Sequence, residues 1–102
     1  MKILILDDSK VVREYLKKII LEKFHDFTIT DFEDGEKAIE YIESINGKID
    51  LVFSDIIMPH MNGLDFLEKI KIKWPLLPVI MLTCLDDKVT IGAKQTENKF
   101  AV

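Results

Sequence analysis

One cysteine, Cys84, three prolines and four glycines are spread over 102 residues. A lone thiol cannot close an internal disulfide, which excludes the cross-linked frameworks of small secreted domains. The longest uninterrupted apolar runs, Ile3 to Leu6 and Val79 to Leu82, are four residues each and far too short to span a bilayer. Met1 to Leu6 begins like a secretory signal, but Asp7-Asp8 ends the run before an apolar region of useful length can form. Basic charge is not in excess either. Fourteen Lys and Arg against eighteen Asp and Glu leave a net charge of −4, so no sequence-independent attraction draws the chain to nucleic acid or anionic lipid. No repeat, low-complexity tract or linker interrupts the sequence. These absences read as a soluble, cytoplasmic protein whose partners are recognised by a site.

What is present suits one folded domain over residues 1–102. Apolar residues make up 48 % and charged residues 31 %, enough to fill a core and wet a surface. Ile3-Leu4-Ile5-Leu6, Ile49-Asp50-Leu51-Val52-Phe53 and Val79-Ile80-Met81-Leu82 read as strands buried on both faces, as in a parallel sheet. Phe27 to Phe32 alternates apolar with polar, as a half-exposed edge strand does. Helical periods lie between them. Val12, Tyr15, Leu16, Ile19 and Ile20 follow Ser9, a candidate N-cap; Ala38, Ile39, Ile42 and Ile45 follow Gly35 and close at Asn46-Gly47; Leu64, Leu67 and Ile70 follow Pro59 to Gly63 and stop near Trp74. The β-α alternation predicts an α/β fold with helices on both faces of a parallel sheet, and such sheets bind ligands beyond the carboxyl ends of their strands.

Chemistry is concentrated at those ends. Asp7-Asp8 follows the first strand, Asp55 the third, and Thr83 ends the fourth. Each has a plainer reading: Asp7-Asp8 as partners of a helix N-terminus, Asp55 as a loop acid, Thr83 as a β-branched strand residue. Taken together, three converging carboxylates require a counter-cation, since like charges raise one another's pKa values. With oxygen ligands and no His or Cys cluster nearby, the ion expected is Mg²⁺.

In order and spacing, Asp7-Asp8-Ser9, Asp31 to Ala38, Asp55 to Leu64 and Pro78 to Thr83 resemble a response-regulator receiver domain of two-component signalling. The resemblance runs from Met1 to about Leu85. It implies a flavodoxin-like, doubly wound sheet with strand order 2-1-3-4 and a fifth strand beyond. Asp55 would be the phosphoacceptor, taking a phosphoryl group from a sensor histidine kinase or a phosphotransfer protein. Asp8 and Asp55 would touch Mg²⁺ directly, Asp7 through water, and the Ile57 main-chain carbonyl would complete the protein ligands. Thr83 would hydrogen-bond the phosphoryl group, and Lys99 is the candidate cation beside it. Such a domain is a signalling protein and not an enzyme, catalysing only its own phosphorylation and dephosphorylation. Ile57 offers attacking water no polar group, which implies slow self-dephosphorylation. Pro59 and Gly63 read as shaping the loop before the third helix, through fixed and positive φ.

After Leu85 the pattern departs. Cys84 to Ile91 is too short for a full fourth helix, which should be reduced or absent, and Val102 ends the chain before any fifth helix. Gln95 to Asn98 are polar where a central strand should be apolar, and Phe100 replaces the family's proline. One sheet flank is then expected to lie bare. Uncovering about 400 Å² would forfeit roughly 10 kcal/mol of burial, which leaves a homodimer covering the face, exchange of the C-terminal segment between chains, or marginal folding as the options. Two alternatives follow. One is a truncated receiver acting as a dimerising interaction module without phosphorylation. The other is a phosphohydrolase of the haloacid dehalogenase kind, which wants Asp-x-Asp where this chain has Asp7-Asp8-Ser9. Cys84 reads as a buried hydrophobe, His25 and His60 as surface or loop residues, and Lys69, Lys71 and Lys73 as a solvated face.

Overall fold

Each apolar run becomes a strand and each helical period a helix. In the computed structural model, which describes residues 1–58, 61–85 and 88–91, β1 (Lys2–Leu6), α1 (Lys10–Lys23), β2 (Thr28–Phe32), α2 (Gly35–Ser44), β3 (Leu51–Asp55), α3 (Gly63–Lys73), β4 (Val79–Leu85) and β5 (Lys88–Ile91) follow in order. The sheet order is β2-β1-β3-β4-β5. The first four strands are mutually parallel, and β5 pairs antiparallel with β4, Thr83 opposite Thr90. The expected 2-1-3-4 order therefore holds. Among the described residues no helix lies between β4 and β5, the absent form of the fourth helix that was one of the two expectations. The strand expected at Gln95 to Asn98 lies outside the described residues, as do Pro59, His60 and Lys99.

Caps set the helix boundaries. Ser9 accepts from the Val12 N–H, Asp34 from Glu36, and Asn62 from Asp65, so each helix begins on a side-chain oxygen that satisfies one of its free amides. α2 closes through Asn46 and Gly47 at φ 56° and 71°, and a Cβ on Gly47 would sit 2.3 Å from the Trp74 indole nitrogen. That position is restricted to glycine by conformation and by space. α3 ends at Trp74, whose N–H bonds the Ile70 carbonyl. Lys71 folds back onto the Pro75 and Leu77 carbonyls, burial lowering its pKa, and Lys73 pairs with Glu43. Lys69, Lys71 and Lys73 are thus not one solvated face, because Lys71 closes the end of its own helix.

Right-handed crossovers put α1 on one side of the sheet and α2 and α3 on the other. The main core lies on the second side, where Leu4, Leu6, Val52, Val79 and Met81 of the sheet meet Ala38, Ile42, Phe66 and Ile70. On the α1 side Ile3, Ile5 and Leu82 are buried, and Leu51, Phe53 and Ile80 are half-buried. The flank expected to lie bare is therefore covered only in part at these described positions. α1 also sits differently from its apolar period: Val12, Leu16 and Ile20 turn inward with a buried Arg13, while Tyr15 and Ile19 are exposed.

Replacing Phe66 with Ala should cost about 3–5 kcal/mol in urea denaturation, because the ring is fully buried between α3 and the sheet. Ile72→Ala on the same helix, 76 % exposed, should stay within about 0.5 kcal/mol of the parent.

Candidate functional site

The acid pocket is assembled by register. Leu6 pairs with Ser54 across β1 and β3, which brings Asp7, the next residue of the chain, beside Asp55 at the same edge of the sheet. Asp55 is the last residue of β3, which runs two residues later than the apolar run suggested, because Ser54 and Asp55 both have ladder partners. One carboxylate oxygen from each of Asp7, Asp8 and Asp55 lies within 4.8 Å of the others. Asp7 and Asp55 are buried and Asp8 is exposed, so the cluster opens to solvent on one side.

Local structure aims these groups. The Asp7 N–H donates to the Phe32 carbonyl at 3.0 Å, and its carboxylate accepts the Ser9 N–H at 2.8 Å. Asp55 accepts the Ile57 N–H at 3.3 Å, which points that amide back into the pocket. Gly63, at the start of α3, donates to the Ile56 carbonyl at 2.6 Å, and a Cβ there would fall 2.0 Å from the Asp55 carbonyl oxygen. Its role is close approach and not the positive φ expected, since no positive φ occurs there. Larger residues would push α3 off the strand end that carries Asp55.

Among the described residues the charge of the pocket is only partly offset, with Arg13 opposing the rise at Asp7. Burial, the neighbouring Asp7 charge and the Asp8 charge push Asp55 up from 3.8 to about 6 despite the Ile57 and Ile56 amides. Burial likewise raises Asp7, opposed by the Ser9 amide and reinforced by Asp8. None of the ion pairs among the described residues involves these acids. An all-oxygen donor set carrying surplus negative charge beside an open face fits a hard divalent cation, Mg²⁺ above all. Thr83 follows Leu82, the register partner of Asp55, so its main chain is one residue beyond the acceptor's level in the sheet. Shallow clefts beside Trp74, between α2 and α3 and below β4, do not reach the acids.

Arg13 and Asp31 also belong to this region, although neither stands at a strand end where parallel sheets place ligands. Arg13 Nε donates to Asp31 at 2.7 Å and its Nη1 to the Asp7 carbonyl at 2.8 Å. The signal was available: Asp31 shares a strand face with Ile29, and a carboxylate on an inward face needs a cation from the helix above it.

The raised Asp55 pKa fixes a pH dependence. Between about pH 4 and 6 the native state holds a proton that the unfolded chain has released, so stability without metal should fall as pH rises through that window. At pH 7.5 Asp55→Asn should be more stable than the parent, on the order of 2 kcal/mol, with the slope reduced; urea titrations across pH check both.

Comparison with known proteins agrees with this geometry. The family model of the response regulator receiver domain matches residues 3–98, well past Leu85, where the expected resemblance ended. Over 87 residues the chain is 33 % identical to the transcriptional regulatory protein DegU of Brevibacillus brevis, covering 85 % of this chain and 36 % of the relative. It is 40 % identical over 103 residues to the 3',5'-cyclic-nucleotide phosphodiesterase regA of Dictyostelium discoideum, covering 91 % of this chain and 13 % of that protein. The chain therefore spans about a third or less of the length of these curated relatives. Among solved structures, the receiver domain of the hybrid histidine kinase CckA superposes with a TM-score of 0.70 at 30 % identity, covering 79 % of this chain and 73 % of that one. The sheet order, the acid cluster and a match over nearly the whole length lead to one conclusion: the chain belongs to the response regulator receiver domain family.

Proposed function

We propose that the chain is a phosphoacceptor receiver domain in which Asp55 accepts a phosphoryl group from the phosphohistidine of a sensor histidine kinase or phosphotransfer protein. The observation that carries this reading is the convergence of Asp7, Asp8 and Asp55 at the carboxyl edge of a parallel sheet. An Asp55 carboxylate oxygen attacks phosphorus as the phosphorus–nitrogen bond of the donor breaks, giving an acyl phosphate and a free imidazole. Phosphoryl transfer asks little covalent chemistry of the protein beyond a nucleophile, placement and charge neutralisation.

Asp8 and Asp55 would hold Mg²⁺ directly, Asp7 through water, and Ile57 through its main-chain carbonyl. The ion would neutralise charge on the transferring oxygens. Asp55, strained by neighbouring charge, becomes an effective nucleophile only when that charge is balanced. Thr83 and Lys99 are proposed to receive the phosphoryl oxygens, as a hydroxyl donor and a cation. Ile57, 63 % exposed beside the acceptor, offers water no polar group, in keeping with a long-lived acyl phosphate. The module would work in the cytoplasm, where it meets its donor, and would catalyse only its own phosphorylation and dephosphorylation.

Intact mass after incubation with acetyl phosphate and Mg²⁺ tests the reading. The parent should gain one phosphoryl group and Asp55→Asn none; a folded parent that gains none overturns it.

A further inference from the structure

Arg13 is the buried cation among the described residues, 9 % exposed on α1. Its guanidinium spans two partners: Nε meets Asp31 Oδ2 at 2.7 Å, and Nη1 meets the Asp7 main-chain carbonyl at 2.8 Å. Lys17, one turn along, takes the other Asp31 oxygen at 3.2 Å. Burial disfavours the Asp31 charge, and the hydrogen bonds from Arg13 and Lys17 outweigh it, holding the carboxyl below its usual range. The carboxylate of β2 therefore fixes the fork, and the fork fixes the end of β1. The Asp7 peptide is fastened on both sides, its N–H to the Phe32 carbonyl and its C=O to Arg13, while its carboxylate is fastened to the Ser9 amide.

We propose that Arg13, locked by Asp31, is a positioning residue for the divalent-cation site: it sets the course of the Asp7–Ser9 main chain and so the aim of the Asp7 and Asp8 carboxylates at Asp55. This rests on the reading of the acid pocket as a Mg²⁺ site. A positive charge near a cation site would by itself weaken metal binding, so position and charge pull in opposite directions. Asp31 neutralises the charge, which leaves the geometric contribution dominant. A fork is required: lysine carries the same charge but not the paired, planar donors that reach a carboxylate and a carbonyl together.

Calorimetric titration of the metal-free protein with MgCl₂ separates these roles, using Arg13→Lys, Arg13→Met, Asp8→Asn and a core variant, Ile42→Ala, of comparable thermal destabilisation. Arg13→Lys and Arg13→Met should each weaken Mg²⁺ binding by about tenfold or more, as losses behind a metal ligand commonly do, while Ile42→Ala binds like the parent. Should Arg13→Met fail to fold, Arg13→Lys decides alone. Binding by Arg13→Lys within about twofold of the parent, or tighter binding by Arg13→Met, overturns the positioning role while the Mg²⁺ site stands. A parent that gives no more Mg²⁺ binding than Asp8→Asn removes the metal site, and this role with it.

Discussion

Three carboxylates held within 4.8 Å of one another in a half-buried pocket repel, and the fold has to hold them there against that repulsion. Water would ordinarily screen the charge, but Asp7 and Asp55 are only 5 % and 8 % exposed. The result is a group poised near pH 6 at the end of β3 and, among the described residues, a deficit of positive charge at one edge of the sheet. A divalent cation is the occupant such an edge calls for, and an anionic phosphoryl group would be accommodated there only with that charge supplied.

The rest of the molecule opposes the repulsion by geometry. The ladder between β1 and β3 fixes how far apart Asp7 and Asp55 can move, since Leu6 and Ser54 are partners one residue earlier. Gly63 lets α3 close onto the Asp55 backbone, and the fully buried Phe66 and Ile70 tie that helix to the core. On the other side of the sheet, α1 supplies Arg13 to the Asp7 carbonyl and takes its own anchor from Asp31. Packing on both faces converges on the same few main-chain atoms, which is how a small domain keeps mutually repelling groups in register.

Much of this was legible in the residues because it depends on periodicity and punctuation. Continuous apolar runs marked strands buried on both faces, Ser9 and Asn46-Gly47 marked helix ends, and the acids stood where parallel sheets place ligands. Arg13 escaped because a helical period is read from apolar residues, and a buried cation interrupts the stripe instead of extending it. β3 runs two residues past its apolar run for a related reason, since Ser54 and Asp55 are polar residues in a fully paired strand. The antiparallel pairing of β5 with β4 had no signal in the β-α alternation, which favours parallel neighbours.

The acid pocket should be destabilising until a divalent cation or the removal of one charge relieves it. Thermal melting at pH 7.5, with and without millimolar Mg²⁺, tests it on the parent and on Asp8→Asn, whose exposed carboxylate contributes repulsion but little packing. Mg²⁺ should raise the melting temperature of the parent, as any ligand of the native state does. Asp8→Asn without metal should melt above the metal-free parent, with little further gain from Mg²⁺. An Asp8→Asn protein that melts below the metal-free parent, together with equal Mg²⁺ responses in both, would contradict the account.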